Sequence, residues 1–414
     1  MKYIICLMIA SWIPISIQAQ SLEDFFQEAA KSNPGLQAKY KEFEMALQNV
    51  TQVKSLPDPS FSIGYFISPV ETRVGPQRVK LSLSQMFPWF GTLKEQGTAA
   101  SLIAEAKFQS FLDAQNKLYF QLAVAYYPLY ELNKWQEIEA QNAEILQSYK
   151  NIATKNFENN KGSLSDVLRV DIMFKDATTS LAILNEKEKP LLTAFNQLLN
   201  RDAKEKVQVS SILTLQPVAM EYRRDSILEN NPVLKELEIK INASQAQERI
   251  AHKQGLPKLG VGIDYVLMGK RTDLGPGVAA PTDNGKNAFM PMVTVSVPIF
   301  RKKYRAAVKQ AELMQDSYAL QKSDYTNSLN ATYDMAMFEI QQQVALNQLY
   351  NDQIAKSNQI LNLLLSAYGN SGKDFEEVLR TQQQILKFQK MKATSETQFH
   401  IAMAKLNYIT AKKY

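Results

Sequence analysis

The chain has 414 residues, of which 45% are hydrophobic and 21% charged, with a formal net charge of +6. That length fits one large or two ordinary domains, and the composition excludes an intrinsically disordered chain. The basic residues are spread along the sequence rather than blocked together, which argues against a nucleic-acid partner.

Residues 1–19 read as a secretory signal peptide. Lys2 supplies the positive start, Tyr3–Ile17 the apolar run and Ile17-Gln18-Ala19 the cleavage site. The competing reading is a membrane anchor, against which Pro14, Ser16 and the shortness of the run count. Cys6, the only cysteine, lies inside this run and lacks the context of a lipoprotein site. A mature chain starting near Gln20 then has no thiol for a disulfide, a metal or a lipid. No later stretch offers the ~18 consecutive apolar residues of a membrane-spanning helix. An exported chain of this kind is periplasmic, secreted, or part of an outer-membrane β-barrel.

Ser21–Lys54 reads as a helix capped by Ser21, with Glu23 and Asp24 in its first turn and an interruption at Asn33-Pro34-Gly35. Leu56-Pro57-Asp58-Pro59 stops it. Ser60–Ile67 alternates Phe61, Ile63, Tyr65 and Ile67 against Ser62, Gly64 and Phe66, the period of a strand. After a loop at Ser68–Pro76, the stretch Arg78–Gly91 alternates again, with Val79, Leu81, Leu83 and Gln85 against Lys80, Ser82, Ser84 and Met86. Pro88 ends the ladder because it has no N–H to donate. From Thr92 to about Asn156 the period becomes heptad-like, through Leu118, Leu122, Ala125, Leu129 and Leu132. About 65 residues at 1.5 Å each make a rod of roughly 95 Å, with a kink expected at Pro128. Phe157–Ser165 is a break, Asp166–Asn200 a returning helix, and Arg201–Gln216 a linker of weak strand character.

The scheme then recurs. Asn231-Pro232 answers Asn33-Pro34, and Leu256-Pro257 answers Leu56-Pro57. Lys258–Met268 is a strand with Leu259, Val261, Ile263, Tyr265 and Leu267 on one face. Gly269–Lys286 is a loop. Pro291–Phe300 alternates Val293, Val295 and Val297 against Thr294 and Ser296, and its Pro298 follows Pro88 by 210 residues. Lys303–Tyr368 is a second long helix, Gly369–Lys373 a second break, and Asp374 opens the last helix. Val378-Leu379-Arg380 repeats Val167-Leu168-Arg169 at an offset of 211. Residues 20–216 and 217–414 thus read as two copies of helix, strand pair (60–87 and 258–300) and long helical hairpin.

Each strand is about long enough to cross an outer membrane. Four strands do not close a barrel, which takes at least ~eight and leaves no edge in lipid, so several chains would have to share one. Ser82, Ser84, Thr294 and Ser296 would then face the lumen. Val79, Leu81, Leu83, Val293, Val295 and Val297 would face lipid, and Phe87, Trp89, Phe90, Phe300 and Tyr304 would form an aromatic belt at the interface. The alternative is a soluble antiparallel sheet with one buried face.

The doubled plan, the Asn-Pro pairs, the Phe87-Pro88-Trp89-Phe90-Gly91 segment and the GxxxDVL-like turns together resemble the TolC-like outer-membrane efflux proteins. The resemblance covers essentially the whole mature chain. It implies a mostly α fold with a small membrane β part: internally duplicated long helical hairpins forming an α-barrel, and four strands per chain in a trimeric twelve-stranded β-barrel. It implies an exit duct in the outer membrane of a Gram-negative bacterium, passively conducting small molecules or metal ions. Its partners would be a periplasmic adaptor and an inner-membrane pump of the resistance-nodulation-division type. The family pattern places a periplasmic gate at Tyr368, Lys373, Asp374, Glu377 and Arg380. Arg380 stands where the family carries an acid, which implies either a weakened acidic, cation-selecting ring or a pairing of Arg380 with Glu377. Adaptor-docking turns fall at Gly162, Leu164 and Asp166 in the first half and at Gly372 in the second. Two alternatives stay open. One is a duct for type I polypeptide secretion. The other is a periplasmic adaptor, which would carry one hairpin and β-rich lipoyl-like segments.

No nucleophile–base arrangement is present, so neither an enzyme nor a cofactor is expected. His252 and His400 lack a metal motif and read as surface residues. Met86, Met268, Met290 and Met292 lie in or beside the strands; soft thioethers suit Cu(I), but packing is the plainer reading. Gly275-Pro276-Gly277 is a loop rather than a phosphate cradle, since no helix follows at once.

Overall fold

The computed structural model describes residues 21–210, 212–216, 224, 229–371 and 375–412. The signal-peptide segment and Cys6 lie outside them. In chain order the elements are α1 (Leu22–Ser32), α2 (Pro34–Lys54), β1 (Ser60–Val70), β2 (Gln77–Phe87), α3 (Thr92–Glu158), α4 (Leu164–Leu198), α5 (Pro232–Gln254), β3 (Lys258–Met268), β4 (Ala288–Ser296), α6 (Lys302–Ser371) and α7 (Phe375–Thr410).

The local chemistry explains the punctuation. Ser21 and Asp24 form a reciprocal capping box at the start of α1. Both Asn-Pro pairs start a helix. Asn33 Oδ1 accepts the Leu36 N–H at 3.0 Å, and Asn231 Oδ1 accepts those of Val233 and Leu234 at 3.0 and 3.3 Å. The proline that follows each asparagine has no N–H to leave unpaired in the first turn. Gly91 turns the chain from β2 into α3 at φ +78°, a conformation that glycine adopts without a Cβ clash.

Several boundaries differ from the sequence reading. Helix α3 runs on through Pro128 without interruption. Ser163 and Asp166 form a second capping box, so α4 begins at Leu164 and takes up the end of the expected break. The linker after residue 200 has no strand among its described residues. Strand β4 starts earlier than expected and stops at Ser296, before Pro298. Helix α6 continues past Gly369 to Ser371.

The four strands form one antiparallel sheet in the order β1-β2-β3-β4. Its central pairing, β2 with β3, joins the two halves of the sequence. The register lines up one apolar face: Phe61, Leu83, Ile263 and Pro291 form one row, and Ile63, Leu81, Tyr265 and Phe289 the next. The other face carries Ser62, Ser82, Asp264 and Met290 in one row and Gly64, Lys80, Val266 and Ala288 in another.

Contacts divide the chain into two compact units, each drawing segments from both sides of residue 217. One consists of Ala38–Ala114 and Asn230–Leu329. It holds the sheet and a small apolar contact of Ala99, Leu102, Ala246 and Ile250 between α3 and α5. Arg249 of α5 donates to Glu95 of α3 at 2.9 Å beside it. The other consists of the segment up to Gln37, Gln115–Glu229 and the chain from Asn330 onward. There α1 is held by Phe25, fully buried edge-on against Phe195 at 5.0 Å. Asn33 and Ser32 donate to the Leu198 and Leu199 carbonyls at 2.8 and 2.6 Å, tying α1 to the end of α4.

Candidate functional site

Two regions carry the residues singled out by the sequence. The first is where α3, α4, α6 and α7 begin or end. Tyr368 is 4% exposed and stacks on Phe375 with centroids 4.6 Å apart. Phe375 in turn meets Tyr149 edge-on at 6.2 Å. Leu146, Ala153, Val170, Val378 and Leu379 complete this apolar cluster. Burial raises the Tyr149 hydroxyl above its ordinary value, so it stays neutral. The Asn156 amide donates to the Tyr368 hydroxyl at 3.0 Å, joining α3 to α6.

Charges ring this cluster. Arg169 of α4 pairs with Glu376 of α7, and Arg380 pairs with Glu377 one turn away on α7. The Glu377 carboxylate pushes the Arg380 guanidinium further above its usual range, so this cation is partnered within its own helix. Lys150 of α3 reaches Asp171 of α4 at 2.6 Å, and Lys175 reaches the same carboxylate at 2.9 Å. Those two ammonium groups hold Asp171 below the usual carboxylate range.

Of the residues expected at a gate, Tyr368, Glu377 and Arg380 are in one region, while Lys373 and Asp374 lie outside the described residues, as does Gly372. At the first-half turn, Asp166 is occupied as the capping partner of Ser163. A Cβ on Gly162 would approach that of Asn156 to 3.1 Å. Leu164 is 52% exposed and begins an apolar stripe that continues through Leu168 and Ile172 on the same face of α4. Asn156, Phe375 and Arg169 were not singled out as functional from the sequence. Their only signal there is position, each within a turn or so of a helix end.

The second region is the sheet and its helix-proximal end. The apolar face is exposed in this chain: Phe61, Ile63, Tyr65, Phe289, Val293 and Val295 are all more than half accessible. The opposite face buries Asp264 completely, with the Lys80 ammonium 2.5 Å from its carboxylate. The soluble-sheet reading requires a buried apolar face, and most of that face is exposed in this chain. Phe87, Trp89, Phe90, Phe300 and Tyr304 all fall where strands pass into helices. Phe90 and Phe300 are largely exposed, and Trp89 meets Phe90 edge-on at 5.9 Å. Lys303 lies 4.8 Å over the Tyr304 ring.

His252 is exposed, but His400 is not a surface residue. Its ring stacks on Tyr127 at 5.0 Å, and its Nε2 is buried with no hydrogen-bond partner among the described residues. Burial lowers its pKa to about 4. Among the described residues no group of three or more His, Cys, Asp or Glu side chains converges as a metal site, and no helix is long and apolar enough to cross a membrane.

Residues 224–412 match the sequence profile of the family described as Outer membrane efflux protein. The chain carries an outer membrane efflux protein domain. The solved structures similar to this TolC-like chain include the outer membrane protein VceC from Vibrio cholerae, with a TM-score of 0.76 and 14% identity over 94% of this chain and 95% of that one. The CmeC outer membrane channel of Campylobacter jejuni gives 0.75 at 14% identity, covering 94% and 85%. The open state of the MtrE outer membrane channel of Neisseria gonorrhoeae gives 0.72 at 14% identity, covering 94% and 88%. At such identity the structures establish the fold, a helical part joined to a β part, and the efflux-protein profile is matched by the second half of the chain. A comparison with curated proteins finds no match. The relatives are channels rather than enzymes, and the family is one of the outer membrane.

Proposed function

We propose that this TolC-like protein is the outer-membrane exit duct of a tripartite efflux system, closed at its periplasmic end by the Tyr368 cluster. The observation that carries the reading is the four-stranded sheet with an exposed, in-register apolar face and a polar face bearing the Lys80–Asp264 pair. A sheet of that kind suits lipid on one side and a water-filled lumen on the other. Its β1 and β4 edges are those that further copies of the chain would pair, giving a homotrimer with a shared barrel. The duplication at 20–216 and 217–414 supplies two strands and one helical hairpin per copy.

The gate in this reading consists of ties between helix ends. Asn156–Tyr368 and Arg169–Glu376 connect the hairpin of the first half to that of the second. Separating the ends breaks a hydrogen bond, an exposed ion pair and the edge-on aromatic stack of Phe375 against Tyr149. The ion pair contributes little because it is solvated, so the stack and its apolar surroundings dominate. A periplasmic adaptor competes for these ends, with the exposed Leu164–Leu168–Ile172 stripe as its apolar landing surface, and a resistance-nodulation-division pump delivers the cargo. Small molecules or metal ions are the cargo in this reading.

Single-channel recording in planar bilayers tests it. Wild-type protein should conduct weakly. Tyr368→Ala, which removes a buried ring worth about 3 kcal/mol or more, should raise the open fraction on the order of a hundredfold. Lys373→Ala should leak as well. Unchanged conductance in both variants would place the gate elsewhere, and no conductance in any protein would end the duct reading.

A further inference from the structure

The helix-proximal end of the sheet contains a cleft of about 890 Å³, lined by residues of α2, the β1 and β3 approaches, and the starts of α3 and α6. Lys253, Lys258 and Lys303 lie in its wall, and none of them is in an ion pair among the described residues. The acids nearby form no ion pair with them, and Lys253 is only close enough to Glu95 to help hold that carboxyl below its usual range. Asp58 is the single carboxylate in the wall, and Glu95 is engaged by Arg249 at 2.9 Å. Lys253 makes only a long contact, donating to the Phe90 carbonyl at 3.4 Å. Thr92, the first residue of α3, also lines the cleft; it is 4% exposed, and its hydroxyl has no hydrogen-bond partner among the described residues. Trp89 and Tyr304 supply the apolar wall.

Three ammonium groups outside any ion pair among the described residues, a buried hydroxyl without a partner and the positive end of the long helix α3 are the groups that recognise a phosphate. The aromatic side chains beside them suit the boundary between headgroups and acyl chains. We infer that this cleft binds the phosphate headgroup of an anionic phospholipid, its acyl chains lying along the exposed apolar face of the sheet. The inference rests on the proposed membrane position of that sheet. It adds a stoichiometric lipid to the duct, held at the hinge between strands and helices.

The test uses the full-length protein extracted in mild detergent, with native mass spectrometry as the readout. The ligands are a phosphatidylglycerol-type lipid, a zwitterionic phosphatidylcholine-type lipid and inorganic phosphate. Wild-type protein should retain the anionic lipid at one per protomer. The triple variant K253Q/K258Q/K303Q should lose that retention by about a hundredfold, given about a factor of five per interfacial lysine. Thr92→Val should weaken it with the lysines intact. A control triple variant at remote exposed lysines, K189Q/K204Q/K206Q, should retain lipid as wild type does. Equal loss in the two triple variants, equal retention of the zwitterionic lipid, or binding of inorganic phosphate without lipid would overturn the inference. Fractionating each variant between inner and outer membranes separates the two readings: a wild-type protein absent from the outer membrane refutes the membrane position itself, whereas a correctly placed wild type that retains no lipid refutes only the cleft.

Discussion

At the scale of single residues, the sequence made side-chain types visible and left their partners hidden. Asn33 and Asn231 were legible because an Asn-Pro step has one good use, the start of a helix, and both side chains cap one. Tyr368 was identified only through resemblance. Its burial depends on Phe375, Tyr149 and Asn156, which lie 7, 219 and 212 positions away, and no local pattern announces them. His400 was misread for the same reason: a lone histidine on a mostly polar helix gives no sign that Tyr127 will stack on it. Its half-buried, neutral ring makes a pH prediction. The folded pKa of about 4 lies below the ordinary 6.5, so the neutral form is the one folding favours. The stabilisation is complete above about pH 6.5 and is lost as pH falls toward 4, amounting to about 3 kcal/mol in all. Thermal midpoints measured across that window should fall more steeply for wild type than for His400→Phe. Parallel pH profiles would mean that the His400 ring is hydrated in solution.

At the scale of elements, hydrophobic period told strand from helix throughout, and the errors lie at ends. Strand β4 stops at Ser296 because its register with β3 ends where Lys258 does, a non-local fact. Helix α6 runs past Gly369 because a single glycine costs only about 1 kcal/mol within a helix already packed along its length. The heptad stripes of α3 foretold apolar packing but not the polar seam beside it. Glu139, 2% exposed, pairs with Lys390 of α7, and Gln382 of α7 donates to Asn142 at 3.4 Å. Further along, Tyr130 donates to Glu396 at 2.7 Å. Such contacts fix which turn of α7 faces which turn of α3, where an apolar stripe alone would tolerate a slip. Lys390→Met should therefore destabilise the protein by about 3–5 kcal/mol, because it leaves a buried carboxylate unpaired. Adding Glu139→Gln should recover most of that loss in denaturant unfolding. If the double variant is as unstable as the single one, the seam is held by packing and not by the charge pair.

At the scale of the whole molecule, the sequence supplied the argument for assembly and the structure sharpened it. Four strands were legible from alternation, and so was their inability to close. Their order was not, since 170 residues of chain separate the end of β2 from the start of β3. That order leaves β1 and β4 as the outer strands. A long sheet edge and an apolar face, both open, are a liability for any protein unless lipid covers one and a neighbour pairs the other. In the proposed trimer, β1 of one copy pairs with β4 of the next until the barrel closes. Cys6 is the only native cysteine and lies within the predicted signal peptide, so cysteine pairs scanned along β1 and β4 report on this edge without background. Oxidised in isolated outer membranes, matched pairs should yield a covalent trimer by denaturing gel, and either cysteine alone should not. Crosslinks confined to single protomers, or a protein that remains monomeric with its edges free, would contradict it.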